Sequence, residues 1–347
     1  MKTIKQTAML VFLLSISSFA HAQWGYGKPE EIEEMKNRKL IVIKEVASDK
    51  VLDKLKKKGK TEFIDDYKSA IDEYNANFEA AISNMWPFHE EYIVKTYAEV
   101  DALRKAKNED YVVARIVTVE ASGTGYSVSD GLDWNYWDVK KGVDDDKVDK
   151  SYLNGTSFFM ISLVEELRKT PIAKIGIPHT FPTKADVAFS IQYTTWYMNA
   201  RLNDQKAKDL KNMMKVNAGR LKEFTLIVRE SDLSEKTTDQ VVNANYPFEY
   251  KIVTDEEFDN IILEQPEQTA YLIVVPDIVD QGNSVSMVYM PMVIDAKTGE
   301  GCSLVEPSAG SLIGNMAGVT GIGRRSVNDR TFKEIGEDVL KAPKYTK

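Results

Sequence analysis

The sequence predicts an α/β protein built from two tandem copies of a βαβαβ unit, each extended by a β-hairpin and a helix, with mixed sheets carrying helices on their faces. Two observations predict it. Trp86-Pro87-Phe88, Tyr92-Ile93-Val94 and Glu99-Val100-Asp101 reappear as Tyr246-Pro247-Phe248, Ile252-Val253 and Glu257-Phe258-Asp259. Apolar runs flank them in both places: Leu40-Ile41-Val42-Ile43-Lys44-Glu45 is matched by Thr225-Leu226-Ile227-Val228-Arg229-Glu230, and Tyr111 to Val117 by Tyr271 to Val275. A repeat matched at apolar and turn positions but divergent at polar ones marks the duplication of a supersecondary unit.

Along the chain, the first segment reads as an address. Met1-Lys2-Thr3-Ile4-Lys5 is basic, Ala8 to Ala20 is apolar, and Ala20-His21-Ala22 has the small-x-small pattern of signal cleavage, so residues 1–22 are expected to be a signal peptide. The apolar stretch is shorter than the roughly 20 residues of a membrane span. The expected product is periplasmic or secreted, with no membrane span after signal removal.

Residues 23–37 are polar and read as an exposed lead-in. The first repeat, 38–205, opens with Leu40 to Ile43, a continuous apolar run suited to a strand covered on both faces. The pattern then turns helical: Phe63, Ile64, Tyr67, Ile71, Tyr74, Phe78, Ile82 and Met85 recur at steps of three and four, and Pro87 ends the helix. A strand near Tyr92 to Lys95, a helix near Glu99 to Lys107 and a strand from Tyr111 to Val119 follow. Ser157 to Leu163 and Ile172 to Ile177 read as a hairpin turning at Lys169-Thr170-Pro171, and Pro182-Thr183 opens a helix with Asp186 as its capping-box partner. Residues 206–217 read as a polar linker. The second repeat, 218–335, has its hairpin at Ser284 to Met290 and Gly301 to Val305, turning at Lys297-Thr298-Gly299, and a helix opened by Pro307-Ser308. Residues 336–347 read as a tail.

The copies differ by insertions. Met160 and Met287 lie about 127 residues apart against about 160 for Trp86 and Tyr246, which gives the first copy roughly 30 extra residues, at 120–156. That insertion holds Tyr126, Trp134, Tyr136 and Trp137 among acidic residues, a composition suited to stacking on sugar faces or to a protein-binding patch; the alternative is that these rings anchor the loop on its own domain.

Composition narrows the function classes. A formal charge of -8 opposes nucleic acid and anionic membranes as general partners. Cys302 is alone, so no intramolecular disulfide forms. His89-Glu90-Glu91-Tyr92-Ile93 lacks the second histidine of a zinc-protease helix, and Gly125-Tyr126-Ser127-Val128-Ser129 lacks the last glycine of a nucleophile elbow. Asp144-Asp145-Asp146 lacks the glycine and distal glutamate of a helix-loop-helix calcium site. Gly310, Gly314, Gly318, Gly321 and Gly323 follow neither the phosphate-loop nor the dinucleotide order. The four-residue spacing of Gly310, Gly314 and Gly318 instead suits helix packing, on the sheet or against another copy in a homo-oligomer. No catalytic residue, metal site or cofactor is expected. The sequence therefore points to an exported, non-enzymatic binding or scaffold protein of the cell envelope that contacts a protein or glycan through the aromatic insertion. Two alternatives remain: a carboxylate-dependent glycan- or peptidoglycan-processing enzyme, and a structural subunit assembling through the glycine-ridged helix.

Overall fold

The computed structural model describes residues 26–122, 125–132, 134, 156–280, 285–306 and 326–342. It is a mixed α/β fold with two mixed sheets and helices on their faces. The first sheet contains β1 (Lys39–Lys44), β2 (Tyr92–Thr96), β3 (Tyr111–Ser122), β4 (Gly125–Val128), β5 (Thr156–Leu163) and β6 (Ala173–Gly176). The second contains β7 (Thr225–Arg229), β8 (Tyr250–Val253), β9 (Thr269–Asp280), β10 (Val285–Asp295) and β11 (Gly301–Leu304). Their orders, β2-β1-β3-β5-β6 and β8-β7-β9-β10-β11, are the same path drawn twice, with β4 paired onto β3 as an addition to the first. In each, three strands are parallel and the hairpin is antiparallel.

The duplication extends to local chemistry. Helix α4 (Tyr97–Lys105) starts on a capping box in which the Thr96 N–H donates to Glu99 at 2.8 Å; α8 (Asp255–Glu264) repeats it with Thr254 and Glu257 at 3.1 Å. The sheet register refines the sequence match. Leu40 pairs with Tyr92 and Val112, and Leu226 pairs with Tyr250 and Ala270, so Leu40 corresponds to Leu226 rather than to Thr225. Because side chains alternate along a strand, that one-residue slip decides which face each residue occupies.

Helix α3 (Ile64–Met85) covers the Leu40, Val42, Val112 and Ala114 face of the first sheet. Its counterpart α7 (Asp239–Asn245) shares a core with Leu226, Val228, Ala270 and Leu272 of the second. After each hairpin comes a helix: α5 (Lys184–Leu202) beside α3, and α9 (Asp329–Lys341) beside α7. These two differ in burial. Helix α9 buries Phe332, Ile335 and Val339 on one side, whereas α5 is buried almost all round. The reason is that the far side of α5 packs on the second unit, where Phe189 meets Tyr271 edge-on with ring centroids 6.4 Å apart. Side chains from both sheets, α3, α5 and α8 therefore form one continuous core. The sheets also touch directly: at Gly176 a β-carbon would collide with the Pro276 carbonyl of β9.

Several segments depart from the sequence-based expectation. Residues 23–37 are not an exposed lead-in as far as they are described: α1 (Pro29–Lys36) buries Ile32 and Met35, and the Tyr26 carbonyl accepts from the Tyr197 hydroxyl at 2.5 Å. Residues 206–217 are not merely a linker, since α6 (Ala207–Asn217) buries Leu210 and Met214 against β11. The tail is helical to Lys341, with Val339 buried. Helix α2 (Asp49–Lys57) is additional. The signal segment 1–22, the helix expected after Pro307-Ser308, and Gly310, Gly314 and Gly318 lie outside the described residues. Among the described residues no helix is long and apolar enough to cross a membrane.

Candidate functional site

Strand β3 alternates. Val112, Ala114 and Ile116 face α3 and α5, while Val113, Arg115, Val117 and Val119 face the other way. On that second face α4 covers Ile41, Ile43 and Val113, and its cover stops there. Beyond it, Arg115, Met160 and Lys174 line a cavity of about 770 Å³, bounded by Tyr97 at the start of α4, the 168–171 turn, Tyr26 and Ile278 of β9. By register, Arg115 and Met160 correspond to Ile273 and Met292, which in the second unit join the core that contains α5. The cavity thus occupies the place where one copy has a helix and the other does not. Its volume falls in the range of about 300–1,000 Å³ typical of small-molecule sites.

Arg115 is 4 % exposed. Its Nη2 donates to the Leu167 carbonyl at 2.6 Å, and its Nε–H has no partner. Burial lowers its pKa to about 10, so the guanidinium stays charged near neutral pH. The other cations of the wall are matched. Lys174 lies 3.4 Å from Asp277, Lys169 lies 2.9 Å from Glu166, and Arg168 lies 3.6 Å from Asp130 and 3.7 Å from Asp101.

The insertion begins in the wall of this cavity. Tyr126 stands in β4, its backbone opposite Ala121, and Val128, Ser129 and Asp130 line the cavity. The Ser129 N–H donates to the Thr118 carbonyl at 2.9 Å, and the Thr118 N–H to the Gly131 carbonyl at 3.0 Å. The chain then passes the carboxyl end of β1. There Glu45, just past β1, accepts from the Leu132 N–H at 3.1 Å and from Trp134 Nε1 at 3.2 Å. Gly131 passes so close to the Glu45 carboxylate that a β-carbon would overlap it.

Trp134 is accordingly not part of an exposed contact surface. It is 5 % exposed, with ring centroids 6.1 Å from Tyr67, 6.0 Å from Tyr74 and 5.1 Å from Phe181. It anchors the described start of the insertion on its own domain. Tyr136 and Trp137, with the acidic run 144–149, lie outside the described residues.

Desolvation pushes the Glu45 carboxyl up to about 7, against the two hydrogen bonds that favour its charged form. The folded chain therefore keeps this proton up to about pH 7, while the unfolded chain releases it near 4.5. Between those values the native state binds more protons, so stability falls as pH rises through the window and levels off above it. The loss is on the order of 3 kcal/mol. Unfolding free energies from urea titrations at about pH 5 and about pH 8 should differ by about 2–3 kcal/mol more in wild type than in Glu45→Gln; equal pH responses in the two would refute the assignment.

Sequence reasoning did not single out Arg115, Glu45 or a network that joins the two units. His179 Nδ1 lies 2.7 Å from Asp186, and its Nε2 accepts from Arg229 at 3.2 Å, which places the ring proton on Nδ1. Arg229 also donates to Asp259 at 2.9 Å. The ring is thus held between a carboxylate and a guanidinium. His89 stacks on Trp86 and accepts its indole N–H at 3.0 Å. Cys302 is buried in β11, and burial pushes its thiol well above the ordinary range. No group of three or more histidine, cysteine or acidic side chains among the described residues is arranged to hold a metal. A signal for Arg115 did exist: it is the one charged residue inside the apolar run Tyr111 to Val119. Compared with known proteins, the chain matches no family model, no curated protein and no solved structure.

Proposed function

We propose that the chain is an exported, non-catalytic binding protein of the cell envelope, and that its protein or glycan partner meets it where the aromatic insertion leaves the cavity wall. The observation that carries this reading is that Val128, Ser129 and Asp130, the base of the insertion, are themselves lining residues of the cavity. The start of the insertion is secured by Trp134 and Glu45 beside a concave site, and loops carried on a rigid scaffold commonly serve binding. The carboxylate-dependent alternative needs two acidic groups about 5–10 Å apart across the reacting bond. The cavity's described lining offers Asp130 alone, and Arg168 lies beside it.

The test uses residues beyond the anchor. Soluble peptidoglycan fragments and purified envelope proteins should bind wild type and lose affinity for a Tyr136→Ala/Trp137→Ala variant whose melting temperature is unchanged. Binding that the double substitution leaves intact would remove the insertion from the account, and glycan turnover by the wild type would favour the enzyme.

A further inference from the structure

Arg115 presents a charge balance that the described residues leave open. Its guanidinium is buried, one donor is spent on a backbone carbonyl, the Nε–H is unpartnered, and no carboxylate lies within ion-pair distance among the described residues. A buried charge without a counter-ion is costly. The scaffold does not require it, because the duplicated strand carries Ile273, 1 % exposed, at the same place. The neighbouring Lys174 does not share the vacancy, since Asp277 compensates it.

We propose that this cavity binds an organic monocarboxylate, the carboxylate paired with the Arg115 guanidinium and the rest of the molecule laid along Met160, Ile278 and Tyr97. The inference rests on reading the cavity as the binding site and adds the class of ligand. One positive charge without an ion-pair partner calls for one negative charge, since Asp130, the described acid of the cavity, acts on Arg115 only from beyond ion-pair distance and is shared with Arg168; a phosphate dianion would bring a second charge. A planar guanidinium matches a planar carboxylate through paired N–H donors. The wall beside it is apolar at Val119, Met160 and Ile278, a surface on which an apolar ligand body can pack. A free apolar acid and the acidic residue of a glycan present this same chemistry.

Calorimetric titration of the full chain separates these sources and tests the inference. The probes are 4-phenylbutyrate against 4-phenylbutyramide, glucuronate against glucose, and inorganic phosphate. At least one acid should bind, with its neutral counterpart and phosphate each roughly tenfold or more weaker, and Arg115→Ile should weaken that acid roughly tenfold to a hundredfold. The Arg115→Ile protein should melt at or above the wild-type temperature, because an uncompensated buried charge has gone. Arg115→Lys, which keeps the charge but loses the fork, should fall between the two and serves if the isoleucine variant does not fold. An acid that binds Arg115→Ile or Arg115→Lys as tightly as wild type overturns the carboxylate assignment. So does a neutral counterpart that binds as well as its acid, although the cavity then stands as a binding site. If none of the probes binds wild type, the carboxylate assignment and the cavity reading fall together.

Discussion

Replacing Trp134 with alanine should cost the fold about 3–5 kcal/mol, the range for removing a large buried aromatic side chain. The ring closes a cluster with Tyr67, Tyr74 and Phe181, and its N–H is one of the two donors to Glu45. Losing it opens a void in the core and leaves the carboxylate with Leu132 N–H alone among the described donors. Trp134→Phe separates the two effects. It keeps an aromatic ring in the cluster and removes the indole donor, so it should cost only about 1–3 kcal/mol. Urea unfolding of the three proteins measures both. An alanine variant within about 1 kcal/mol of wild type would mean that the tryptophan does not anchor the insertion.

Asp277→Ala should be of similar severity, about 3–5 kcal/mol, because it strands the Lys174 ammonium between the sheets. Both side chains are almost fully buried, and the ammonium also lies over the rings of Tyr26 and Phe158 at 5.2 and 5.1 Å. The cost comes from the charge left behind more than from the pair itself. Lys174→Met combined with Asp277→Leu should therefore recover most of the lost stability, as buried ion pairs replaced by apolar side chains commonly do. A double variant as unstable as Asp277→Ala would show that the pair is a favourable bond rather than a balanced charge.

The strands other than β4 and the longest helix were legible in the sequence because their signals are local. Leu40 to Ile43 is apolar without interruption, and Tyr67, Ile71, Tyr74, Phe78 and Ile82 keep one helical face over 22 residues of α3. The repeat made the second sheet legible from the first. What escaped depends on distant partners. In α2 only Val51, Leu52 and Leu55 stand among lysines, and α1 buries just Ile32 and Met35, so neither shows a long apolar stripe. Trp134 reads the same in sequence whether exposed or anchored; Tyr67, Tyr74 and Phe181 decide it, and none is a sequence neighbour. The one-residue slip between Leu40 and its counterpart was hidden because Lys44-Glu45 matches Arg229-Glu230 by chemistry while the hydrogen-bond ladder matches Leu40 with Leu226. That slip matters for the site, since it is the ladder that sets Arg115 opposite Ile273 in the duplicated plan.

Helix α5 fuses the two units of the duplication, because its two sides pack on different sheets. Differential scanning calorimetry of the full chain tests this most directly. One transition is expected, with equal calorimetric and van't Hoff enthalpies and with Trp134→Ala lowering the whole of it. Two resolved transitions, of which Trp134→Ala moves only one, would show two units that unfold separately and would contradict the shared core.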